Sequence, residues 1–102
     1  MVEINWTNAA LSDLNEIGEY IAKDSIRYAE LTVSTLYDAV EILKGQPFLG
    51  NMVEEFRMES LRQLIKGDYR IIYRIVNKER IDILTVHHCS RLIHNTYPFT
   101  SL

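Results

Sequence analysis

Three runs of alternating residues in the second half of the chain constrain its fold more than any other feature. They cover residues 61–65, 69–76 and 81–88, and short turn signals separate them. Because side chains alternate across a strand, the central run places two tyrosines and two isoleucines on one face and Arg70 and Arg74 on the other. Both faces are half apolar, which is typical of a strand inside a sheet. The sequence therefore predicts a three-strand antiparallel meander with two guanidinium groups on one face.

A strand and a helix are predicted before these runs. Residues 2–6 alternate apolar and polar side chains, which is a short strand pattern. Thr7 or Asn8 can then cap a helix by accepting a hydrogen bond from a free backbone N–H of the first turn. Residues 10–21 carry one apolar stripe at helical spacing, so we expect an amphipathic helix there.

A second helix follows after a short break. Asp24 or Ser25 provides a new cap, and an apolar stripe runs through residues 29–43. Gly45 and Pro47 then supply a helix stop, with glycine just past the end and proline beyond it. Two helices joined by so short a link are expected to form an antiparallel hairpin.

The order of elements predicts an α+β fold in a single domain spanning residues 1–102. It consists of an N-terminal strand, an antiparallel two-helix hairpin and a three-strand antiparallel meander, with the helices packed on one face of a twisted sheet. Residues 48–59 have no clean period and are predicted to form a loop. In the last strand, Ile81, Ile83 and Thr85 are the better core set. The other face of the sheet is expected to be free, so that Arg70 and Arg74 project from it.

Charge distribution and cysteine content limit the partners and the cellular compartment that can be expected for this protein. Residues 1–60 hold eleven acidic and four basic side chains, whereas residues 61–102 hold seven basic and three acidic ones. This division indicates a face for an anionic partner, and a solvated mixture of charges is the alternative. The single cysteine, Cys89, cannot form an internal disulfide, and at the end of a strand it is expected to be buried or half-buried. The first residues resemble neither a secretory signal nor a membrane anchor. We therefore expect a cytoplasmic protein that has no membrane association.

The histidines do not predict a metal site. His87 and His88 are adjacent in a strand and point to opposite faces, and neither they nor His94 have acidic or cysteine residues spaced to complete a coordination shell. No metal and no cofactor are expected.

One pattern in the strands resembles a known family. Residues 62–91 read R-x-L-x-x-G-x-Y-R-I-I-Y-R-I, followed by I-x-I-L-T-V-x-H-x-x-R. With the Trp6 strand and the two helices before it, the chain resembles the RelE/ParE superfamily, the toxin half of bacterial type II toxin–antitoxin pairs. The resemblance implies a helical hairpin on a twisted antiparallel sheet. It also implies a toxin that its cognate antitoxin holds inactive in a hetero-oligomer.

The resemblance implies two different targets. RelE-like members enter the ribosomal A site and cut mRNA, whereas ParE-like members inhibit DNA gyrase. Ribonuclease chemistry needs an activated 2′-OH, a neutralised phosphate and a protonated leaving oxygen. If the chain is RelE-like, the resemblance assigns catalysis to Arg70, Arg91 and Tyr97. Packing of the Tyr97 ring against the sheet is the alternative for that residue.

The strand before the central one departs from the RelE-like pattern. Leu61 and Gln63 stand where a RelE-like pattern has lysines, which favours the gyrase-inhibiting branch and keeps the ribosome-dependent ribonuclease as the alternative. A third possibility is a non-toxic binding module that has the same fold. Ion pairs with Asp or Glu are the alternative to anion binding for the sheet arginines. The predicted target-binding or anion-binding residues are Arg62, Lys66, Arg70, Arg74 and Arg91.

Overall fold

The computed structural model describes residues 1–90. The elements in this range are β1 (Glu3–Trp6), α1 (Asn8–Ala22), α2 (Ile26–Ala39), a 3-10 helix (Val40–Lys44), β2 (Asn51–Met52), β3 (Leu61–Lys66), β4 (Tyr69–Ile75) and β5 (Arg80–His88). Their order confirms the predicted α+β fold with its helical hairpin and meander. The 3-10 helix and β2 were not predicted. Neither α1 nor α2 is long and apolar enough to cross a membrane, and the same holds for the 3-10 helix.

The strands form one five-stranded sheet in the order β1-β5-β4-β3-β2. β3, β4 and β5 pair antiparallel as predicted, and β1 joins β5 in parallel. A β-bulge interrupts the pairing of β4 with β5, because Ile72 lies opposite Thr85 while Tyr73 lies opposite Ile83. The bulge leaves Leu84 without an opposite residue and increases the local twist.

Hydroxyl side chains cap both helices. Of the two candidates at each end, Thr7 caps α1 and Ser25 caps α2. The Thr7 hydroxyl accepts a hydrogen bond from the Ala10 N–H at 3.2 Å and donates one to the Ile83 carbonyl at 2.7 Å. Thr7 therefore ties the start of α1 to the central part of β5.

The main core lies between the helices and one face of the sheet, which we call the first face. α1 packs against β5, and α2 packs against α1. The buried residues of this core are Val2, Ala10, Leu14, Leu36, Val40, Leu43, Ile71, Tyr73, Ile81, Ile83 and Val86. The alternation read from the sequence assigned the β4 residues of this face correctly.

The opposite side of the sheet, the second face, is partly covered. The segment 53–60 folds over it, and Val53, Leu61 and Ile72 are fully buried in a second apolar cluster. Phe56 and Met58 pack against this cluster from the same segment. The prediction of a free second face was therefore wrong for this part of the sheet. The apolar residues of segment 53–60 follow neither strand nor helix spacing. No periodicity in the sequence therefore indicated that they are buried together.

Two predictions about β5 need correction. Thr85 is buried, but the bulge places it opposite Ile72 on the second face, and Val86 takes its predicted place in the main core. Cys89, expected to be buried or half-buried, is exposed just after the strand.

Candidate functional site

The candidate residues of the sheet lie on two different faces. Arg62 and Lys66 are opposite Tyr73 and Tyr69, which places both of them on the first face. Arg70 and Arg74 alternate with these tyrosines and lie on the second face. Arg91 and Tyr97 lie outside the described residues. The sheet therefore does not gather these four cations into one surface.

Arg70 is an interior residue that is held by its own chain. It is only 7% exposed. Its Nη1 and Nη2 donate to the two carboxylate oxygens of Glu55 at 2.9 and 3.1 Å, and its Nε donates to Gln63 Oε1 at 2.9 Å. This is a bidentate, charge-assisted contact, the strongest kind of side-chain hydrogen bonding. The expectation that Arg70 projects into solvent was wrong, because segment 53–60 brings a carboxylate onto it.

A cavity of about 720 Å³ lies beside this ion pair. Its charged lining consists of Glu54, Glu55, Arg57 and Arg70. The two acidic and two basic side chains balance, and the guanidinium of Arg70 is directed at Glu55. Within residues 1–90, the lining of the cavity therefore has no excess of positive charge with which to hold a phosphate.

Arg62 stabilises the loop that precedes β2. Its Nε donates to the Gly50 carbonyl at 2.7 Å, its Nη1 donates to the Glu59 carbonyl at 3.0 Å, and its guanidinium carbon lies 5.3 Å from the centre of the Phe48 ring. A guanidinium over an aromatic ring is a favourable cation–π arrangement. These contacts give Arg62 a structural role at the edge of the sheet.

The Tyr73 hydroxyl holds the same loop from inside. It accepts a hydrogen bond from the Gly50 N–H at 2.9 Å and donates one to the Pro47 carbonyl at 2.7 Å. Burial of the ring raises the pKa of Tyr73, and the Gly50 N–H and the nearby Arg62 partly offset this rise. Only glycine fits at position 50, since the Cβ of any other residue would clash with the Gln63 carbonyl oxygen.

Arg74 lies at the end of the second face that segment 53–60 leaves open. It is half-buried and opposite Asp82. The Asp82 carboxylate is already engaged by Asn5 Nδ2 at 3.0 Å and by Arg80 Nε at 3.0 Å. Within residues 1–90 the Arg74 side chain makes neither an ion pair nor a hydrogen bond. Arg74 is therefore the second-face arginine whose charge remains available, while the exposed Lys66 lies on the other face.

Two acidic residues, Asp13 and Glu55, bind buried polar groups of the sheet, and the sequence pattern singled out neither. Asp13 Oδ2 accepts hydrogen bonds from the Val86 N–H, at 2.9 Å, and from the Thr85 hydroxyl. The Thr85 oxygen also lies 3.0 Å from His87 Nε2. The pairing of β1 with β5 ends at Ile83, so Asp13 binds the strand where β1 no longer covers it. No feature of the sequence distinguished Asp13 from the other acidic residues of α1.

Comparison with known proteins identifies the family. Residues 4–93 match the model of a family described as the ParE toxin of the type II toxin–antitoxin system parDE. A curated protein of Sinorhizobium fredii, named "Putative toxin Y4kP", is 38% identical over 97 residues, which cover 93% of this chain and 92% of that protein.

Two solved structures share the fold. A chain of the chromosomal ParDE system from P. aeruginosa has a TM-score of 0.71 and 21% identity, covering 86% of this chain and 96% of that one. A chain of the RelBE2 toxin–antitoxin complex from Mycobacterium tuberculosis has a TM-score of 0.58 and 23% identity, covering 85% and 96%. These identities support the fold alone, whereas the family match and the S. fredii relative extend over nearly the whole chain. The chain therefore belongs to the ParE toxins of type II toxin–antitoxin systems, within the RelE/ParE superfamily.

Proposed function

We propose that this toxin arrests growth by inhibiting DNA gyrase when it is free of its antitoxin. The observation that carries the proposal is the ion pair of the buried Arg70 with Glu55. The resemblance assigns Arg70 a catalytic role if the chain is a ribonuclease. In this chain the guanidinium is buried and a carboxylate neutralises it.

The neighbouring positions strengthen the argument against RNA cleavage. Leu61 is fully buried in the second apolar cluster, and the Gln63 side chain accepts a hydrogen bond from Arg70. Neither position supplies the positive charge that a lysine would. Loss of a single preorganised donor costs a site of this kind about 2.7–4 kcal/mol of transition-state stabilisation. Because Leu61, Gln63 and Arg70 all lack a free positive charge, a ribonuclease site at these positions would have little rate acceleration left.

An antitoxin is the second proposed partner. Both solved neighbours come from systems whose names include an antitoxin. On this chain the helical hairpin exposes large apolar side chains, among them Tyr20 at 71%, Ile26 at 69% and Leu31 at 62% exposure. Ile26 lines an exposed, mostly apolar groove between the two helices together with Leu11 and Val33. Such a groove on a small domain is typical of a protein–protein surface. An antitoxin covering this toxin would remove such surface from water.

The test measures both activities on one preparation of the full chain. Purified gyrase with relaxed plasmid and ATP reports supercoiling, and primer extension on a translated mRNA reports cleavage. We expect inhibited supercoiling and an uncut message. Arg74→Ala should weaken gyrase inhibition about five-fold if its free charge contacts the target. Lys78→Ala removes an exposed cation from the turn between β4 and β5, and should leave inhibition unchanged.

Each of the other outcomes overturns the proposal in a different way. Cuts at codon positions that disappear when translation is blocked, with normal supercoiling, would establish the ribosome-dependent ribonuclease. Normal supercoiling, an intact message and normal growth on induction would establish the non-toxic binding module.

A further inference from the structure

A small cavity lies between α2 and the turn that joins β3 to β4. It has a volume of about 250 Å³. Thr32, Thr35 and the buried Leu36 line it from α2, and Lys66 and Asp68 line it from the turn. The lining therefore combines an apolar floor with hydroxyl groups and two charges of opposite sign.

Two tyrosines, Tyr28 and Tyr69, stand at the rim of this cavity. Tyr28 is 59% exposed on α2, and Tyr69 is half-buried at the start of β4. Burial raises the pKa of Tyr69, and the nearby Tyr28 hydroxyl and Asp68 carboxylate raise it further. The ring of His88 lies edge-on to the ring of Tyr69, with the ring centres 5.7 Å apart. The two tyrosines therefore lie near each other beside the cavity, and His88 supports one of them.

The turn between β3 and β4 keeps the rim in one shape. Gly67 adopts a positive φ of 60°, a conformation that glycine reaches without strain. The Asp68 carbonyl accepts a hydrogen bond from the Cys89 N–H at 2.7 Å, which ties the turn to the end of β5. A partner that binds a preformed surface avoids the entropic cost of ordering it. The cavity is therefore pre-organised for binding.

The size and charge of the cavity indicate what fills it. Clefts that hold drug-sized ligands have volumes of about 300–1,000 Å³, so this cavity suits one large side chain rather than a whole small molecule. Lys66 and Asp68 offset each other, which favours an uncharged side chain. Tyrosine is enriched among the residues that supply most of the binding energy of protein interfaces. The cavity therefore fits a folded protein that inserts one large apolar side chain.

We propose that this surface contacts the protein target of the toxin, and that one large apolar side chain of gyrase enters the cavity between Tyr28 and Tyr69. We call it the tyrosine surface, and it consists of Tyr28, Thr35, Lys66, Asp68 and Tyr69. The inference rests on the proposed function and adds to it a location and the chemistry of the contact.

The antitoxin fits a different part of the hairpin. The groove between α1 and α2 has a volume of about 700 Å³ and uses other residues of α2, among them Ile26 and Val33. That groove is long enough for a segment of a partner chain, whereas the cavity holds a single side chain. Because a helix is about 10–12 Å in diameter, a partner in the groove lies close enough to obstruct the tyrosine surface. A bound antitoxin would in this way keep the toxin from its target.

Inhibition of supercoiling by purified gyrase, measured with the full chain and its variants, tests the proposal. Tyr28→Ala should raise the toxin concentration needed for half-inhibition about thirty-fold, the loss typical of a tyrosine at the centre of an interface. Thr35→Trp places a ring in the cavity and should weaken inhibition at least about ten-fold, because the entering side chain is then excluded. Ile42→Ala is the matched control. It removes a side chain that is 50% exposed on the 3-10 helix, and should leave inhibition unchanged.

Binding to the cognate antitoxin is measured on the same variants. Neither Tyr28 nor Thr35 lines the groove between the helices. Both variants should therefore bind the antitoxin with the affinity of the wild-type chain, and should unfold at the same temperature.

The outcomes separate this proposal from the proposed function. If the wild-type chain inhibits gyrase and both variants inhibit equally well, the tyrosine surface is not the contact and the proposed function stands. If a variant loses affinity for the antitoxin but still inhibits, the surface belongs to the antitoxin. Equal loss of both activities would indicate a changed shape of the hairpin, and would also overturn the proposal. A wild-type chain that does not inhibit gyrase would overturn the proposed function, and this inference with it.

Discussion

Replacing Glu55 with glutamine tests whether the buried Arg70 depends on this carboxylate for charge compensation. Removing one member of a buried pair costs about 3–5 kcal/mol, because the remaining charge loses its compensation. Here the Arg70 and Glu55 side chains are 8% and 20% exposed, so some water reaches the carboxylate. Glutamine also keeps one acceptor oxygen. We therefore expect Glu55→Gln to lower the free energy of unfolding by about 2 kcal/mol, and Tm by about 10 °C.

Urea denaturation followed by fluorescence measures this loss. Trp6 is the single tryptophan, and its stacking on Tyr37 makes its emission a reporter of the fold. The matched control is Glu54→Gln, an exposed neighbour that should change stability by less than about 0.5 kcal/mol. Combining Glu55→Gln with Arg70→Met should show a coupling energy of about 2 kcal/mol. If Glu55→Gln behaves like Glu54→Gln, Arg70 is not held as described and the argument against RNA cleavage fails.

Three further predictions concern the polar groups inside the fold. Tyr73→Phe leaves the Gly50 N–H and the Pro47 carbonyl without their partner, and should cost about 1–3 kcal/mol in urea unfolding at pH 7. Because burial raises the pKa of Tyr73 above 10.0, its contribution to stability should be fully present below that pH and be lost as the pH rises through the raised pKa. Tyr73→Phe should reduce this alkaline loss in pH-dependent unfolding curves, and only the part due to Tyr69, whose pKa is also raised, should remain. Asp13→Ala removes an acceptor of two hydrogen bonds from β5 and should cost about 1–3 kcal/mol in the same assay; a cost below about 0.5 kcal/mol would contradict this role.

The regular elements were predictable because their signals are local. A stripe at helical spacing, or an alternation over several residues, reports which side of a segment meets the core, whatever that core contains. β2 has two residues, too few for an alternation to appear. Segment 53–60 buries Val53 and partly buries Phe56 and Met58 through a turn in which Arg57 adopts a positive φ of 51°. Such a path produces no period, so the covering of the second face could be found only in three dimensions.

The face of the sheet on which each candidate arginine lies could be predicted from the sequence, but the residues that surround each arginine could not. Alternation correctly placed Arg70 and Arg74 on the face away from the helices. Whether each arginine reaches solvent depends on residues that are distant in sequence. Glu55 lies on an aperiodic segment, and its carboxylate reaches Arg70 because β3 and β4 bring Gln63 and Arg70 together beneath that segment. No pattern in the sequence distinguishes this neutralised arginine from the available Arg74 four residues along the same strand.

The distribution of available charge bears on the kind of target that this toxin meets. Binding to a nucleic acid backbone draws its affinity from several cations that contact successive phosphates. Here the chain carries a net charge of −3, Arg70 is neutralised, and the free Arg74 and Lys66 lie on opposite faces of the sheet. One strand of RNA could not engage both of these cations along one face. A protein surface needs fewer and more scattered charges, because apolar contact supplies most of the affinity while charges set orientation and association rate. Within residues 1–90, this arrangement supports the proposal that the target is a protein such as gyrase.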